Sequence, residues 1–268
     1  DVLQMGLFSV LLIVILGVIF GPKTNFTFSE ATLSGIWSFE MGLNLLFAAV
    51  LQSLSYPFHD PVLTDRGFIS SPKITLKSFL LATVVGGICI ILFSIIGVYA
   101  QAIGMSGQAA VEVGKAFGVV LLLVINFIMI TSAASTLDST FSSFSKLVSI
   151  DLKLGNSLKV GRWSMVVIAV LGTIPVFLDA EILSATTISG TMVIGLTPVF
   201  LFWKSKAPKL SFHLSVFSGI IFGFLLIFNL FPSQLIFTTG KYADLLWINF
   251  WGILTCITLY FIPIWIRK

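Results

Sequence analysis

Long apolar runs separated by short polar clusters dominate the chain. Eight of them approach the roughly 20 apolar residues that a membrane-spanning helix needs, near 4–21, 34–56, 76–101, 117–142, 162–178, 183–203, 211–231 and 242–266. The second is interrupted: after Val50 come Gln52, Ser53, Ser55, Pro57, His59, Asp60 and Pro61. Each proline removes an amide donor and disfavours helix just before it. Two structures fit this stretch. One is a helix broken at membrane depth, where irregular backbone survives only if it is buried or lines a cavity. The other is a helix that ends near Leu54 and passes into a loop. Between the third and fourth runs, "GMSGQAAVEVGKAFG" at 104–118 reads as a short amphipathic helix.

Composition turns these runs into a fold class. Of 268 residues, 57% are hydrophobic and only 10% charged, whereas a soluble domain carries about a quarter charged residues. The chain is therefore expected to be an all-α integral membrane protein of about eight spans. Lysine and arginine then set its sidedness. Arg66, Lys73, Lys77, Lys146, Lys153, Lys159, Arg162, Lys204, Lys206, Lys209, Arg267 and Lys268 fall on one side, and only Lys23, Lys115 and Lys241 on the other. Twelve against three is a strong positive-inside bias, which predicts cytoplasmic ends and places 104–118 outside. Trp37, Trp163, Trp203, Trp247 and Trp265 fall near span ends, as an interfacial belt requires. The first run lacks a basic leading flank and a small-residue cleavage site, so it reads as a span rather than a signal peptide. Cys89 and Cys256 stand singly in apolar runs without metal-ligand spacing. The net charge of +4 is spread over loops and never forms a basic block, so no nucleic-acid partner is expected.

The fourth run ends in "TSAASTLDSTFSSFSKL", a great deal of oxygen for a greasy helix. At helical spacing Ser132, Ser135, Thr136 and Ser139 share one face, flanked by Asp138. Serine and threonine in membrane helices often bond back to the preceding turn or join helices. Four on one face beside a costly carboxylate also fit a pathway. Hard neutral oxygens with no imidazole or thiolate suit an alkali cation rather than a transition metal, with a partner helix or unwound backbone completing the shell.

At this point the chain resembles the sodium:solute symporters. The residues that carry the resemblance are "DVLQ" at the start, "DRGFISSPK", "SAASTLDSTFSSFSKLVSIDLKL" and "SGTMVIGLTPVFLFW", in the family's order. The resemblance implies a LeuT-type fold of two inverted five-span repeats. Residues 1–21 would be the last helix of the first repeat, 34–203 the complete second repeat and 211–266 peripheral helices. The first repeat would be mostly absent, including its broken first helix. It further implies one sodium site at the Ser132 carbonyl with the Ser135 and Thr136 hydroxyls. A second site would use Asp1, Ser135, Asp138 and Ser139. The sequence departs from the family at Asp138, where a hydroxyl is usual, and this leaves ion stoichiometry open. Ser53 and Tyr56 align with substrate-contacting and inner-gate positions, with Gln52 and Asn44 as further candidates. Pro57, His59 and Asp60 match nothing usual there, so the solute class is not inherited.

The expected activity is sodium-coupled symport of a small polar solute by alternating access in the cell membrane. Sodium would be the coupling ion, with no other cofactor, no enzymatic activity and no obligate protein partner. Glu40 lies one turn from Asn44 on the same face, in position to share a cavity with it. His59 is a loop histidine or a proton-linked switch, and "NFT" at Asn25 fits a glycosylation sequon. A membrane sensor or scaffold on a transporter-like fold is the alternative. An intramembrane enzyme using Glu40 and Asp138 is weaker still, because no catalytic motif surrounds either carboxylate.

Overall fold

A computed structural model describes residues 2–22, 24–33, 35–155, 157–177 and 182–266. Asp1, Lys23, Arg267 and Lys268, which entered the expectations above, lie outside the described residues. In chain order the helices are α1 (Val2–Ile19), α2 (Phe28–Leu33), α3 (Asn44–Gln52), α4 (Tyr56–His59), α5 (Pro61–Gly67), α6 (Pro72–Ala102) and α7 (Ala109–Phe117). They continue with α8 (Val119–Lys146), α9 (Leu158–Phe177), α10 (Ile182–Met192), α11 (Leu196–Leu201), α12 (Lys209–Ile227) and α13 (Ala243–Ile266). No strand occurs among the described residues.

Among the described residues, five helical stretches are long and apolar enough to cross a membrane: Pro72–Ala102, Val119–Asp151, Leu183–Leu201, Lys209–Ile227 and Ala243–Ile266. Of the other three expected spans, α1 (18 residues) and α9 (20 residues, with Lys159 and Arg162 in its first turns) are apolar helices of near-spanning length, whereas the apolar helix Phe39–Gln52, at about 20 Å, is shorter than the roughly 30 Å hydrocarbon layer. The long helices expose their apolar side chains, Ile90 of α6 to 72% for example, and water does not tolerate so continuous an apolar surface. The architecture is that of an all-α, multi-pass membrane protein.

The chain divides into two compact units, Asp1–Gly35 with Arg66–Met165 and Ile36–Asp65 with Val166–Lys268. In the first unit the core joins Leu11, Ile15 and Ile19 of α1, Ile95, Ile96 and Tyr99 of α6, Val113 of α7 and Ile125 and Ile128 of α8. The expected amphipathic helix is present as α7, and Gly114 lets it close onto α8: a Cβ there would lie 3.2 Å from the Leu122 Cα. Phe26 meets Tyr99 edge to face at 5.3 Å between ring centroids. Thr27 and Glu30 form a reciprocal capping box at the start of α2. The Glu30 carboxylate accepts from the Thr27 N–H at 2.7 Å and hydroxyl at 2.9 Å, and the Glu30 N–H donates to Thr27 Oγ1 at 3.2 Å.

In the second unit α12 packs along α13 and also against the turn at Val193–Gly195, where small residues permit a close approach. A Cβ on Gly219 would lie 2.6 Å from the Gly195 backbone nitrogen. The run expected over 183–203 is one helical stretch, Leu183–Leu201, tightened by a 3-10 turn at Val193–Gly195 between α10 and α11. Before α3 the chain makes a wide π-type turn at Phe39–Leu43, where Gly42 takes φ +135°, a conformation that side chains resist.

Candidate functional site

The interruption after Val50 is a break, and its geometry differs from the expectation. Helix α3 ends at Gln52, residues 53–55 form a turn, and helix resumes at Tyr56. The prolines therefore begin short helices rather than end a long one: Pro57 lies in the first turn of α4, where its missing amide costs nothing. Asp60, which matched nothing in the symporter pattern, caps α5 by accepting the Val62 N–H at 2.8 Å. His59 Nδ1 donates to the Tyr56 carbonyl at 2.6 Å. Ser53 and Tyr56 are exposed, and Ser53 Oγ bonds back to the Val50 carbonyl at 2.7 Å.

The other two residues expected to touch solute or gate it are anchors within this unit. Asn44 is fully buried. Its Nδ2 donates to the carbonyls of Phe39 (2.9 Å), Thr239 (2.9 Å) and Lys241 (3.1 Å), and its Oδ1 accepts the Thr238 hydroxyl at 2.8 Å. That fastens the start of α3 to the loop before α13. Glu40, expected to share a cavity with Asn44, instead accepts the Thr239 hydroxyl at 3.2 Å. Gln52 Nε2 donates to the Thr187 carbonyl (2.9 Å), Thr191 Oγ1 (3.2 Å) and Asn249 Oδ1 (3.4 Å). Asn249 donates to the same Thr191 hydroxyl at 3.0 Å, which in turn donates to the Thr187 carbonyl at 3.0 Å. The amide of Gln52 sits where a side chain at position 190 would be, 2.6 Å from the Cβ that Gly190 lacks. This network joins α3, α10 and α13 by the polar contacts that hold helices together where no water competes.

Thr187 also lines a polar cavity of about 290 Å³ with Ser184, Asn229, Tyr242 and Asp244. Asn229 takes φ +52° at the position that ends α12, which asparagine commonly fills, and Tyr242 holds φ +63°, a conformation that a bulky side chain adopts only when its surroundings impose it. At about 30 Å³ per water, the cavity holds on the order of ten non-hydrogen atoms. None of these five residues stood out in the sequence. The readable signal was a pair of polar residues, Tyr242 and Asp244, directly against an apolar run.

The chain matches no known protein family, curated protein or solved structure.

In the first unit the hydroxyl stripe lies on one continuous helix, as its spacing required. Ser132, Ser135 and Ser139 are half-buried, while Thr136 and Asp138 are exposed. Thr136 Oγ1 donates to the Ser132 carbonyl at 3.0 Å, Ser139 Oγ to the Ser135 carbonyl at 3.3 Å and Thr140 Oγ1 to the Thr136 carbonyl at 2.9 Å. Back-bonding of this kind disposes of the hydroxyl proton and leaves the oxygen lone pairs outward, the arrangement a cation needs. It also occupies the Ser132 carbonyl. An ion that takes both that carbonyl and Thr136 Oγ1 has to replace their bond. Among the described residues Asp138 has no ion-pair partner. Asp1, the other expected carboxylate ligand, lies outside the described residues.

Proposed function

We propose that the protein is a cation-coupled membrane transporter, with sodium moving down its gradient and a small polar solute moving with it. The observation that carries this reading is the face of α8. Four hydroxyl residues and Asp138 gather within two turns of a membrane-crossing helix, and Thr136 and Ser139 have their protons committed to their own backbone. A carboxylate inside a span is expensive unless it serves an ion or proton path. Hard oxygens without imidazole or thiolate select an alkali cation. The resemblance to the sodium:solute symporters and their LeuT-type fold points the same way.

For the solute, the polar cavity of Ser184, Thr187, Asn229, Tyr242 and Asp244 replaces Asn44 and Gln52 as the preferred binding place, because the amides of those two are committed to structure. The lysine and arginine bias supports cytoplasmic ends for the chain, and a sodium-coupled transporter of this kind would work in the cell membrane.

The test is uptake of a panel of polar solutes into proteoliposomes under an inward sodium gradient, with choline as the replacement cation. At least one solute should accumulate only with sodium, and Ser135→Ala and Thr136→Ala should raise the sodium concentration needed. Equal uptake in choline, unaffected by either substitution, would refute the reading.

A further inference from the structure

Beyond the end of α8 the chain makes a second π-type turn, Leu147–Asp151, and returns into α9. Together they form a cavity of about 1090 Å³ lined by Ser145, Ser149, Lys153, Ser157, Gly161 and Arg162, with Ile150, Leu158 and Met165 completing the wall. Its charge is of one sign. Among the described residues no carboxylate lines it, and neither Lys153 nor Arg162 is in an ion pair. The segment from 146 to 162 carries Lys146, Lys153, Lys159 and Arg162 against the single carboxylate of Asp151. Hydroxyls supplement the cations: Ser157 Oγ accepts the Val160 N–H at 3.3 Å, which leaves its own proton to donate. Gly161 allows α9 to approach this close, since a Cβ there would stand 2.6 Å from Ser145 Oγ. Lys153 takes φ +54° in a turn that the Leu154 N–H closes on the Val148 carbonyl at 3.2 Å.

The surroundings identify the anion. A guanidinium, an ammonium and hydroxyls around one hollow suit phosphate, which arginine grips with two parallel bonds. The wall carries exposed apolar side chains, Leu158 at 82% and Ile150 at 59%, with the exposed Trp163 next to Arg162 in sequence, and a soluble phosphate compound has no use for such a rim. An acyl chain does, and a tryptophan at a span end marks the level of the lipid headgroups.

We propose that this cavity binds the phosphate headgroup of an anionic phospholipid, whose chains lie along Leu158 and Ile150. The orientation proposed above puts it in the cytoplasmic leaflet, where anionic lipids concentrate. Binding needs neither sodium nor transport, so it stands or falls apart from that reading.

Native mass spectrometry of the purified protein, titrated with phosphatidylglycerol in zwitterionic micelles, tests the proposal. The wild type should bind phosphatidylglycerol in preference to phosphatidylcholine. Each surface cation contributes about fivefold, so the double variant Lys153→Gln/Arg162→Gln should weaken binding about 25-fold. Lys206→Gln/Lys209→Gln, which removes equal charge elsewhere, should leave it unchanged. If the first double variant does not fold, Arg162→Lys keeps charge and stem but loses the fork, and should weaken binding several-fold. Undiminished binding in the site variants, equal loss in the control, or inorganic phosphate binding as tightly as the lipid would each overturn it.

Discussion

Asn44 was expected near the solute path, and its surroundings make it a structural pin, a difference that a mutation can resolve. Replacing it with alanine deletes four contacts between 2.8 and 3.1 Å, the two amide N–H groups shared among three carbonyls and one accepted hydroxyl. Polar contacts between membrane helices average about 0.6 kcal/mol and those in water about 1 kcal/mol. Four of them sum to about 2–4 kcal/mol. The loss spreads further, because the Thr238 hydroxyl that donates to Asn44 Oδ1 also accepts the Trp247 indole N–H at 3.0 Å and such chains polarise one another. Asn44→Asp keeps the shape but turns the donating nitrogen into an oxygen facing three carbonyls, so it should be worse than alanine. At roughly 2–4 °C per kcal/mol for a chain of this size, Asn44→Ala should lower the midpoint of thermal unfolding in detergent by about 5–15 °C. Asn44→Asp should fall further. Trp247 fluorescence should report the release of the loop. If Asn44→Asp unfolds at the wild-type temperature, the pin assignment is wrong and a solute contact becomes the better account.

Two further outcomes follow from the packing and the cap. Gly219→Ala drives a methyl onto the Gly195 backbone nitrogen, 2.6 Å away, and the Met192 carbonyl, 2.9 Å away; backbone cannot step aside, so the variant should lose about 1–3 kcal/mol, measured by thermal unfolding. At the start of α2, the Thr27 backbone N–H, and after it the Thr27 hydroxyl, hold the Glu30 carboxyl below its ordinary value. A depressed carboxylate stabilises above its unfolded-state value, and that contribution is lost as pH falls through the folded value. The helical chemical shift of Ala31, whose N–H bonds the Thr27 carbonyl at 3.1 Å, should therefore drift toward coil on acidification. Glu30→Gln should abolish that step, and an identical acid transition in the variant would contradict the assignment.

Whatever rests on spacing along one segment was legible in the sequence. The apolar runs became helices, 109–117 became the amphipathic helix, and residues 132, 135, 136 and 139 share a face because the helix through them is continuous. The break after Gln52 was readable from its polar cluster, but the role of its prolines was not: a proline's missing donor forbids the middle of a helix and suits the first turn, and one sequence supports both. The length of the second run misled for a related reason: hydropathy counts residues, and the turn at 53–55 divides that run without changing its composition. Partners distant in sequence were invisible. Two of the carbonyls that hold Asn44 lie nearly 200 residues away, and the polar cavity gathers Ser184 of α10, Asn229 beyond the end of α12, and Tyr242 and Asp244 at the start of α13.

The central claim is that the hydroxyl face of α8 holds an alkali cation. Binding of radioactive sodium to the purified protein, followed by scintillation proximity, addresses it without knowledge of the solute. Binding should saturate and be displaced by unlabelled sodium far better than by potassium or choline. Thr136→Val, which removes the oxygen that now donates to the Ser132 carbonyl, and Ser135→Ala should each weaken it at least tenfold. Saturable binding that survives both substitutions, or none in the wild type, would contradict the account.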